Sequence, residues 1–254
     1  MLQAMKKIIF ISFVAGLLAA CDTFKADVNP ESGTISQGGS LARFTIVGDY
    51  LYIVNDRQLI PVNIRDLAAP QKNAPVDLDI GVETIFPYQG NLFIGSASAV
   101  YIYSLGNPAA PARLSVYQHA TGCDPVVVKD NYAYVTLREG VSCLNTFQMN
   151  VLEVLDISNL RAPNMVATVD MRSPRGLGIG CNQKLFVCEG NYGLTQFSIA
   201  DPRIPEMEKV YSKHAANDII VRDSLVIVTG NDGIYQYACS ADTLQLLSIL
   251  PLSL

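Results

Sequence analysis

Tryptophan is absent from this chain of 254 residues, and histidine occurs only twice. The lack of tryptophan excludes a sugar-binding platform made of indole rings, although twelve tyrosines remain. No Walker motif and no glycine-rich dinucleotide-binding motif is present, so the sequence predicts no nucleotide cofactor. The two histidines, His119 and His214, do not form a metal motif of closely spaced ligands. We therefore expect no cofactor and no metal.

Charge is also scarce, since only 16% of the residues are charged and the formal net charge is −5. Removing residues 1–20 removes two lysines and no acidic residue, which leaves a net charge of −7. An acidic protein is repelled by phosphate groups, so we expect neither nucleic acid nor anionic lipid headgroups as partners. Half of the residues are hydrophobic, which is enough for a large core.

The N-terminus resembles a bacterial lipoprotein signal. Lys6 and Lys7 form a basic start, and a mostly apolar run from Ile8 to Ala20 follows. Thirteen residues are too few to span a bilayer comfortably, but they suit a signal peptide. The run ends in Leu-Ala-Ala-Cys, which predicts cleavage after residue 20 and attachment of lipid to Cys21. The alternative is an ordinary secretory signal followed by an unrelated cysteine. Residues 21–39 are polar and rich in glycine, and we expect a flexible tether.

From about residue 40 the chain consists of five copies of one short pattern. Each copy contains a tight turn, an apolar strand, a second strand and a link. The first apolar residues after the turns are Leu51, Leu92, Ala133, Leu185 and Leu225, with spacings of 41, 41, 52 and 40. A strand repeat in the low forties is typical of propeller blades. The sequence therefore predicts an all-β, five-bladed β-propeller with four antiparallel strands per blade, closed within residues 40–254.

The next strand and the link support this alignment. One apolar column holds Leu59, Val100, Leu152, Leu194 and Ile234. Four copies then continue with a link of the type DLAAP, NPAAP, NLRAP or DPRIP. Asparagine or aspartate starts a turn and proline cannot continue a ladder, so each link ends one strand and begins another. The fifth copy lacks the proline, with CSADTLQ at residues 239–245.

These repeats resemble the LVIVD-repeat family of bacterial envelope proteins, particularly its lipoprotein members from Bacteroidetes. The likeness is carried by residues 40–54, 121–140, 152–163 and 176–190, in this order along the chain. The resemblance implies a propeller fold and a location in the cell envelope, but no reaction and no functional residues. Together with the N-terminal signal it leads us to expect a lipid-anchored protein, in the outer membrane rather than the inner membrane.

The remaining five cysteines can be sorted by their places in the repeat. Cys188 falls on a packed strand position, and Cys239 replaces an aliphatic residue, so we expect a buried free thiol there. Cys181 falls in the first hairpin of the fourth blade. Cys123 and Cys143 lie in two connections that emerge on the same face of the third blade, and an envelope protein is in an oxidising compartment. We predict a disulfide between these two cysteines; the alternative is two free thiols.

Polar residues stand where the innermost strands begin. When the copies are aligned on their apolar runs, these positions hold Arg43, Glu83, Asp124, Arg175 and Asn217, and Asp218 follows directly. Equivalent strand starts converge on one mouth of the propeller channel, so we predict a binding surface there, beside an insertion at residues 138–149. The alternative is that strand starts are polar simply because they are exposed to solvent. His119 and His214 lie on the same face and would bind a metal only together with Asp124, but exposed loop histidines are the simpler interpretation.

Two classes of function stay open. The first is a non-enzymatic envelope module, monomeric, that binds a protein, peptide or glycan through this ring of polar residues. The second is a glycoside hydrolase-like enzyme in which Glu83 acts with Asp124 or Asp218 across roughly 5–10 Å. Short blades leave little wall to enclose a sugar, and Arg43 and Arg175 would hold nearby carboxylates ionised, which disfavours a general acid. We therefore expect a binding module.

Overall fold

The computed structural model describes residues 41–55, 57–78, 81–119, 125–139, 149–240 and 243–252. These residues form 21 β-strands, which assemble into five antiparallel sheets arranged as a β-propeller. Each sheet is one blade, and the all-β fold with five blades of four strands is confirmed. No described residue belongs to a helix with the length and hydrophobicity that crossing a bilayer requires. The predicted signal peptide, Cys21 and the tether lie outside the described residues.

The strands are numbered along the chain, and the first strand of each blade is the innermost. Blade 1 contains β1 (Phe44–Val47), β2 (Tyr50–Val54), β3 (Gln58–Asn63) and the short pieces β4 (Gln71–Lys72) and β5 (Val76–Asp77). Blade 2 contains β6 (Val82–Tyr88), β7 (Asn91–Ser96), β8 (Ala99–Ser104) and β9 (Ala112–Gln118). Blade 3 contains β10 (Val126–Lys129), β11 (Tyr132–Leu137), β12 (Val151–Asp156) and β13 (Asn164–Asp170). Blade 4 contains β14 (Leu177–Gly180), β15 (Lys184–Cys188), β16 (Leu194–Ser198) and β17 (Glu206–Tyr211). Blade 5 contains β18 (Asp218–Arg222), β19 (Leu225–Thr229), β20 (Gly233–Cys239) and β21 (Leu244–Pro251).

The proline links turn the chain between the third and fourth strands, as predicted. The first side chain of each link accepts a hydrogen bond from the backbone N–H two residues later, which closes a local turn. These residues are Asp66, Asn107, Asn159 and Asp201. The links also join neighbouring blades, because the hydroxyl of Tyr52 donates to the carbonyl of Pro108 at 3.0 Å. Tyr134 repeats this contact with the carbonyl of Pro202, also at 3.0 Å.

Four hydrophobic clusters hold consecutive blades together, and each one lies between two sheets. Tyr52 and Ile94 belong to the cluster between blades 1 and 2. The inner strands of blades 4 and 5 approach closely because glycine replaces larger residues on β14. A Cβ atom on Gly178 would lie 2.8 Å from Cγ2 of Val221. The core of the molecule is therefore a series of layers between the blades rather than one central cluster.

The two terminal blades bury only one face each. Strands β11 and β12 of blade 3 are buried on both faces, whereas buried and half-buried residues alternate along β2 and β19. The half-buried residues include Ile53 and Ile60 in blade 1 and Ile220 and Ile227 in blade 5. Closure of the propeller within residues 40–254 was predicted from the sequence and stays a prediction. Among the described residues, blades 1 and 5 share no apolar cluster.

The fifth copy is shifted by one residue relative to the alignment made from sequence. The turn between β18 and β19 pairs Arg222 with Leu225. In blade 3 the equivalent turn pairs Lys129 with Tyr132, and Ala133 follows Tyr132. Val226 follows Leu225 in the same way, so the equivalent of Ala133 is Val226 and not Leu225. A shift of one residue exchanges the two faces of a strand. Val226 accordingly packs against blade 4, and Leu225 is half-buried on the opposite face.

A disulfide joins Cys181 to Cys239, with 5.9 Å between the Cα atoms. It connects the first hairpin of blade 4 to the last residue of β20 in blade 5. The prediction that Cys239 is a buried free thiol is therefore wrong, because its position in the third strand lies beside the hairpin of the neighbouring blade. Cys188 is a buried free thiol on a packed strand position, as expected. Cys123 and Cys143, the predicted disulfide pair, lie outside the described residues.

Candidate functional site

The connections of the propeller form two rims. The upper rim contains the connections from the second to the third strand of each blade and from each blade to the next. The lower rim contains the first hairpins and the proline links. The predicted site residues with a described backbone lie on the upper rim: Arg43, Glu83, Arg175, Asn217 and Asp218. Asp124, the side chain of Glu83 and most of the 138–149 insertion lie outside the described residues.

The predicted strand starts are not all equivalent. Phe44 of β1, Leu177 of β14 and Ile219 of β18 occupy the same position relative to their paired strands. Arg175 and Asn217 each stand two residues before these reference residues, so they share one column. Arg43 stands only one residue before Phe44 and therefore falls in the next column. The expectation of a regular five-residue ring is therefore wrong at Arg43, because a shift of one residue changes the direction of the side chain.

Arg175 and Asn217 do come together, at the junction of blades 4 and 5. The guanidinium Nη1 of Arg175 donates to Oδ1 of Asn217 at 2.7 Å. The amide of Asn217 donates to Oδ1 of Asn231 at 2.9 Å, and the amide of Asn231 donates to Oδ1 of Asn191 at 2.9 Å. Asn191 and Asn231 are exposed, whereas Arg175 and Asn217 are half-buried. A chain of four hydrogen-bonded side chains thus runs from inside the rim to its surface.

The backbone around this chain is held in place from both blades. Gly190 and Ala216 exchange two hydrogen bonds, of 2.7 and 2.9 Å, which ties the loop of blade 4 to the connection entering blade 5. Gly190 has a φ of +56°, and a Cβ atom there would lie 2.8 Å from Nε of Arg175. Glycine therefore lets the guanidinium rest directly on the backbone. The carbonyl of Arg175 accepts a hydrogen bond from Oγ1 of Thr136 in blade 3, at 2.8 Å.

An exposed aromatic ring lies next to the chain of amides. Tyr192 is 49% exposed, and the guanidinium carbon of Arg172 lies 5.4 Å from the centre of its ring. Arg172 is positioned by its backbone N–H, which donates to Oε2 of Glu189 at 2.7 Å. The other oxygen of Glu189 accepts from the hydroxyl of Thr195. Glu189 is 5% exposed and has both oxygens engaged, so it acts as a support for the loop. We call Arg172, Arg175, Asn191, Tyr192, Asn217 and Asn231 the rim site.

Asp232 and His214 lie on the same rim. The hydroxyl of Tyr235 donates a hydrogen bond to Asp232, and this bond holds the pKa of the carboxyl below its usual range. The same bond raises the pKa of Tyr235 to about 12. The ring of His214 stacks on Tyr235 with 4.1 Å between the centroids. Asp232 is therefore ionised at neutral pH and is not a proton donor.

The chemistry that these residues offer is hydrogen bonding and stacking. The rim site presents carboxamides, two guanidinium groups and one exposed phenol ring. Cys188 lies beneath it, but burial, with a contribution from Asp218, raises the pKa of its thiol well above the usual value, so it is protonated. Within the described ranges no three His, Cys, Asp or Glu side chains are grouped so that they could hold a metal ion. Asp124, the third group that a metal site with the two histidines would require, lies outside those ranges.

Sequence reasoning missed Arg172, Asn191, Tyr192 and Asn231. A signal for the two asparagines exists, because the segment Gly-Asn-Tyr-Gly at 190–193 is repeated as Gly-Asn-Asp-Gly at 230–233. Both segments connect the second and third strands of their blades. Only a comparison of these connections, rather than of the strands, would have revealed that two neighbouring blades place asparagine at the same point of the rim.

A second buried carboxylate lies between blades 2 and 3. Glu153 on β12 is 5% exposed, and its Oε2 accepts from the hydroxyl of Tyr117 at 3.2 Å. Burial raises the pKa of Glu153, an effect that the nearby His119 and Tyr117 partly oppose. The backbone N–H of His119 donates to the carbonyl of Ser98. His119 is thus close to a carboxylate inside a blade interface, not in an isolated exposed loop.

Two segments of the chain, residues 38–74 and 146–171, match the family model described as LVIVD repeat. They lie in blades 1 and 3 and amount to about a quarter of the chain. The match supports the resemblance to LVIVD-repeat proteins, whereas membership of a Bacteroidetes lipoprotein group is not part of it. No curated protein matches this sequence significantly.

Several solved structures share the fold at low sequence identity. A functionally unknown protein from Desulfotomaculum acetoxidans has a TM-score of 0.67 and 11% identity, with 82% of this chain and 68% of that chain covered. The periplasmic gluconolactonase of Pseudomonas aeruginosa has a TM-score of 0.63 and 12% identity, with coverage of 81% and 68%. A putative 6-phosphogluconolactonase from Bacteroides uniformis has a TM-score of 0.63 and 16% identity, with coverage of 81% and 69%. At these identities the similarity establishes the propeller fold alone.

Proposed function

We propose that this protein is a binding module of the bacterial cell envelope, which recognises a polar partner through the rim site. The observation that carries the proposal is the hydrogen-bonded chain from Arg175 to Asn191, which ends beside the exposed ring of Tyr192. Carboxamides both donate and accept hydrogen bonds, and a tyrosine ring offers an apolar face with a polar tip. This combination suits the hydroxyl and amide groups of a glycan or a peptide.

The rim site is preorganised for binding. Its amides are already oriented by one another, and Arg175 is fixed by Asn217 and by the close approach of Gly190. Orienting side chains before the ligand arrives lowers the entropic cost of association. The exposed ends, Asn191 and Tyr192, would contact the partner directly, whereas Arg175 and Asn217 would position the others.

The chemistry of the rim favours binding over catalysis. Hydrolysis of a glycoside needs a carboxylic acid that stays protonated near neutral pH and a second carboxylate opposite it. Glu189 is occupied by two hydrogen bonds, and the pKa of Asp232 is lowered. The hydrolase alternative would need Glu83 together with Asp124 or Asp218. The similarity to lactonases in fold keeps a hydrolase-like activity as the second candidate.

The proposed location is the cell envelope, with a lipid at Cys21 as anchor, in the outer rather than the inner membrane. The apolar run that ends in Leu-Ala-Ala-Cys at residue 21 supports this proposal. The disulfide between Cys181 and Cys239 supports it independently, because such bonds persist in oxidising compartments and are rare in the cytosol. Replacing Cys21 by alanine should move the protein from the membrane fraction to the soluble fraction, or leave its signal uncut. Unchanged membrane partition would refute the anchor.

A glycan array and a peptide array test the proposed function. The chain from residue 21 onward, carrying Cys21→Ser so that no lipid is attached, is applied to both arrays. We expect one ligand class that is retained by this protein and lost by Tyr192→Ala. Arg222→Ala, which removes an exposed arginine from the lower rim, is the control and should retain the ligand. Release of sugar from a retained glycan, abolished by Glu83→Gln, would establish the hydrolase alternative instead.

A further inference from the structure

The outer strand of blade 5 differs from those of the other blades in having no charge. Strand β21 is the longest strand, with eight residues, and its sequence is LQLLSILP. Its exposed apolar residues, together with the one that follows the strand, are Leu246, Leu247, Ile249, Leu250 and Leu252. It pairs with β20 on one side, and no other described strand lies along its second side. An uncharged, apolar edge strand is a surface that soluble proteins normally avoid.

The outer strands of the other blades carry charged side chains, which β21 lacks. Strand β9 contains Arg113, β13 contains Asp170, and β17 contains Glu206, Glu208 and Lys209. Charged side chains on an edge oppose association with another strand. In blade 1 the outer strand is reduced to the two short pieces β4 and β5.

One position allows a direct comparison between blades. Each outer strand from blade 2 to blade 5 contains a bulge, where the register against the third strand shifts. In blade 4 the bulge residue is Glu208, which forms an ion pair with Lys184. In blade 5 the bulge residue is Leu247, which is 57% exposed. All four outer strands have this bulge. The bulge therefore does not distinguish β21 from the others, whereas the absence of charged residues does.

We propose that β21 is a self-association surface, against which β21 of a second copy of this chain lies antiparallel across a two-fold axis. A two-fold contact brings the same surface patch of both copies together, so an uncharged patch meets no like charge. The half-buried Ile220, Ile227 and Ile234 lie on the face of blade 5 that shares no apolar cluster with another described blade, and they extend the apolar surface next to the strand.

The size of the surface sets the strength of the contact. A single strand and its flank bury less area than a standard protein interface, so we expect a weak dimer. If the lipid anchor of the proposed function is present, confinement to a membrane would raise the effective concentration of the second copy. The dimer itself does not depend on the anchor or on the rim site, and it departs from the monomer expected from the sequence.

Sedimentation velocity tests the dimer with the Cys21→Ser protein, from micromolar to several hundred micromolar concentration. We expect the weight-average sedimentation coefficient to rise towards that of a dimer. Leu247→Lys should keep the protein monomeric over the whole range. Val166→Lys, at the equivalent bulge of β13, is the matched control and should behave like the parent protein. Circular dichroism spectra and melting temperatures show whether each variant is folded.

A cross-link gives a second, independent result. Leu247→Cys should form a disulfide-linked dimer on a non-reducing gel, because residues near a two-fold axis face their own copies, whereas Val166→Cys should not. A parent protein that stays monomeric at all concentrations would overturn the proposal. Dimerisation that survives Leu247→Lys, or equal cross-linking at both positions, would equally place the contact elsewhere.

Discussion

Two isoleucines at the same position of two blades should differ strongly in their contribution to stability. Ile94 on β7 and Ile53 on β2 occupy the same column of the repeat, so they lie on the same face of their blades. Ile94 is fully buried in the cluster between blades 1 and 2. Ile53 is half-buried on the face of blade 1 that shares no apolar cluster with another described blade. We therefore expect Ile94→Ala to destabilise the protein far more than Ile53→Ala.

The magnitudes follow from burial. Replacing a fully buried isoleucine by alanine removes packed methylene groups and leaves a cavity, which costs about 2–5 kcal/mol. The same change at a half-exposed position loses only part of the transfer free energy, about 1 kcal/mol. Both residues lie in the second strand of a blade, so differences in strand propensity cancel. The expected difference is therefore at least about 1 kcal/mol, which is larger than the usual error of comparing distant sites.

Urea denaturation at equilibrium measures both variants against the parent protein. The transitions should be followed by far-ultraviolet circular dichroism and by tyrosine fluorescence, and coincident curves are required for a two-state analysis. Equal losses for Ile53→Ala and Ile94→Ala would refute the reasoning. That result would mean that blade 1 is covered on both faces in solution, as in a ring closed by blade 5.

Three further changes test the packing and the electrostatics. Replacing Cys181 and Cys239 together by serine removes a cross-link between residues that are 58 positions apart in sequence. The free energy of unfolding, measured by urea denaturation, should fall by up to about 4 kcal/mol in the chain-entropy model. Gly178→Ala places a Cβ atom against Val221 and should lower the free energy of unfolding by about 1–3 kcal/mol. Gly106→Ala, where a Cβ atom has room, should change it by no more than about 0.5 kcal/mol. Equal losses for the two variants would argue against a close approach of blades 4 and 5. The pKa of Glu153 is raised in the folded state, so its carboxyl binds a proton more tightly there than in the unfolded chain. This proton binding stabilises the fold fully below the unfolded pKa, and the stabilisation is lost as the pH rises through the folded pKa. Melting temperatures measured from acidic to neutral pH should therefore fall less for Glu153→Gln than for the parent, and parallel curves would contradict this.

The blade repeat could be predicted from the sequence because turns and apolar columns recur at nearly constant spacing. The error at Leu225 has a simple physical cause. The segment Leu-Val-Ile-Val at 225–228 contains no polar residue, so nothing in it marks which side chains face which blade. Only the two-residue turn that pairs Arg222 with Leu225 fixes the register. The misplacement of Arg43 has a similar cause. The strand starts were aligned on their apolar runs, and these runs differ in length between the copies.

Contacts between blades were harder to predict than contacts within them. Cys181 and Cys239 are far apart in sequence and belong to different blades, so their proximity depends on how neighbouring sheets are rotated. The same holds for the chain from Arg175 to Asn191, which crosses from blade 4 to blade 5 and back. Arg175 and Asn217 were found because they begin strands. Asn191 and Asn231 lie in connections, where the apolar pattern carries no information.

Isothermal titration of the rim site with a ligand from the arrays tests the proposed function most directly. We expect Tyr192→Ala and Asn231→Ala each to weaken binding at least about tenfold, the effect of losing a contact worth about 1.4 kcal/mol. Arg222→Ala on the lower rim should leave the affinity unchanged, and all variants should keep the melting temperature of the parent. Binding that survives both rim changes but is lost with Arg222→Ala would contradict the account.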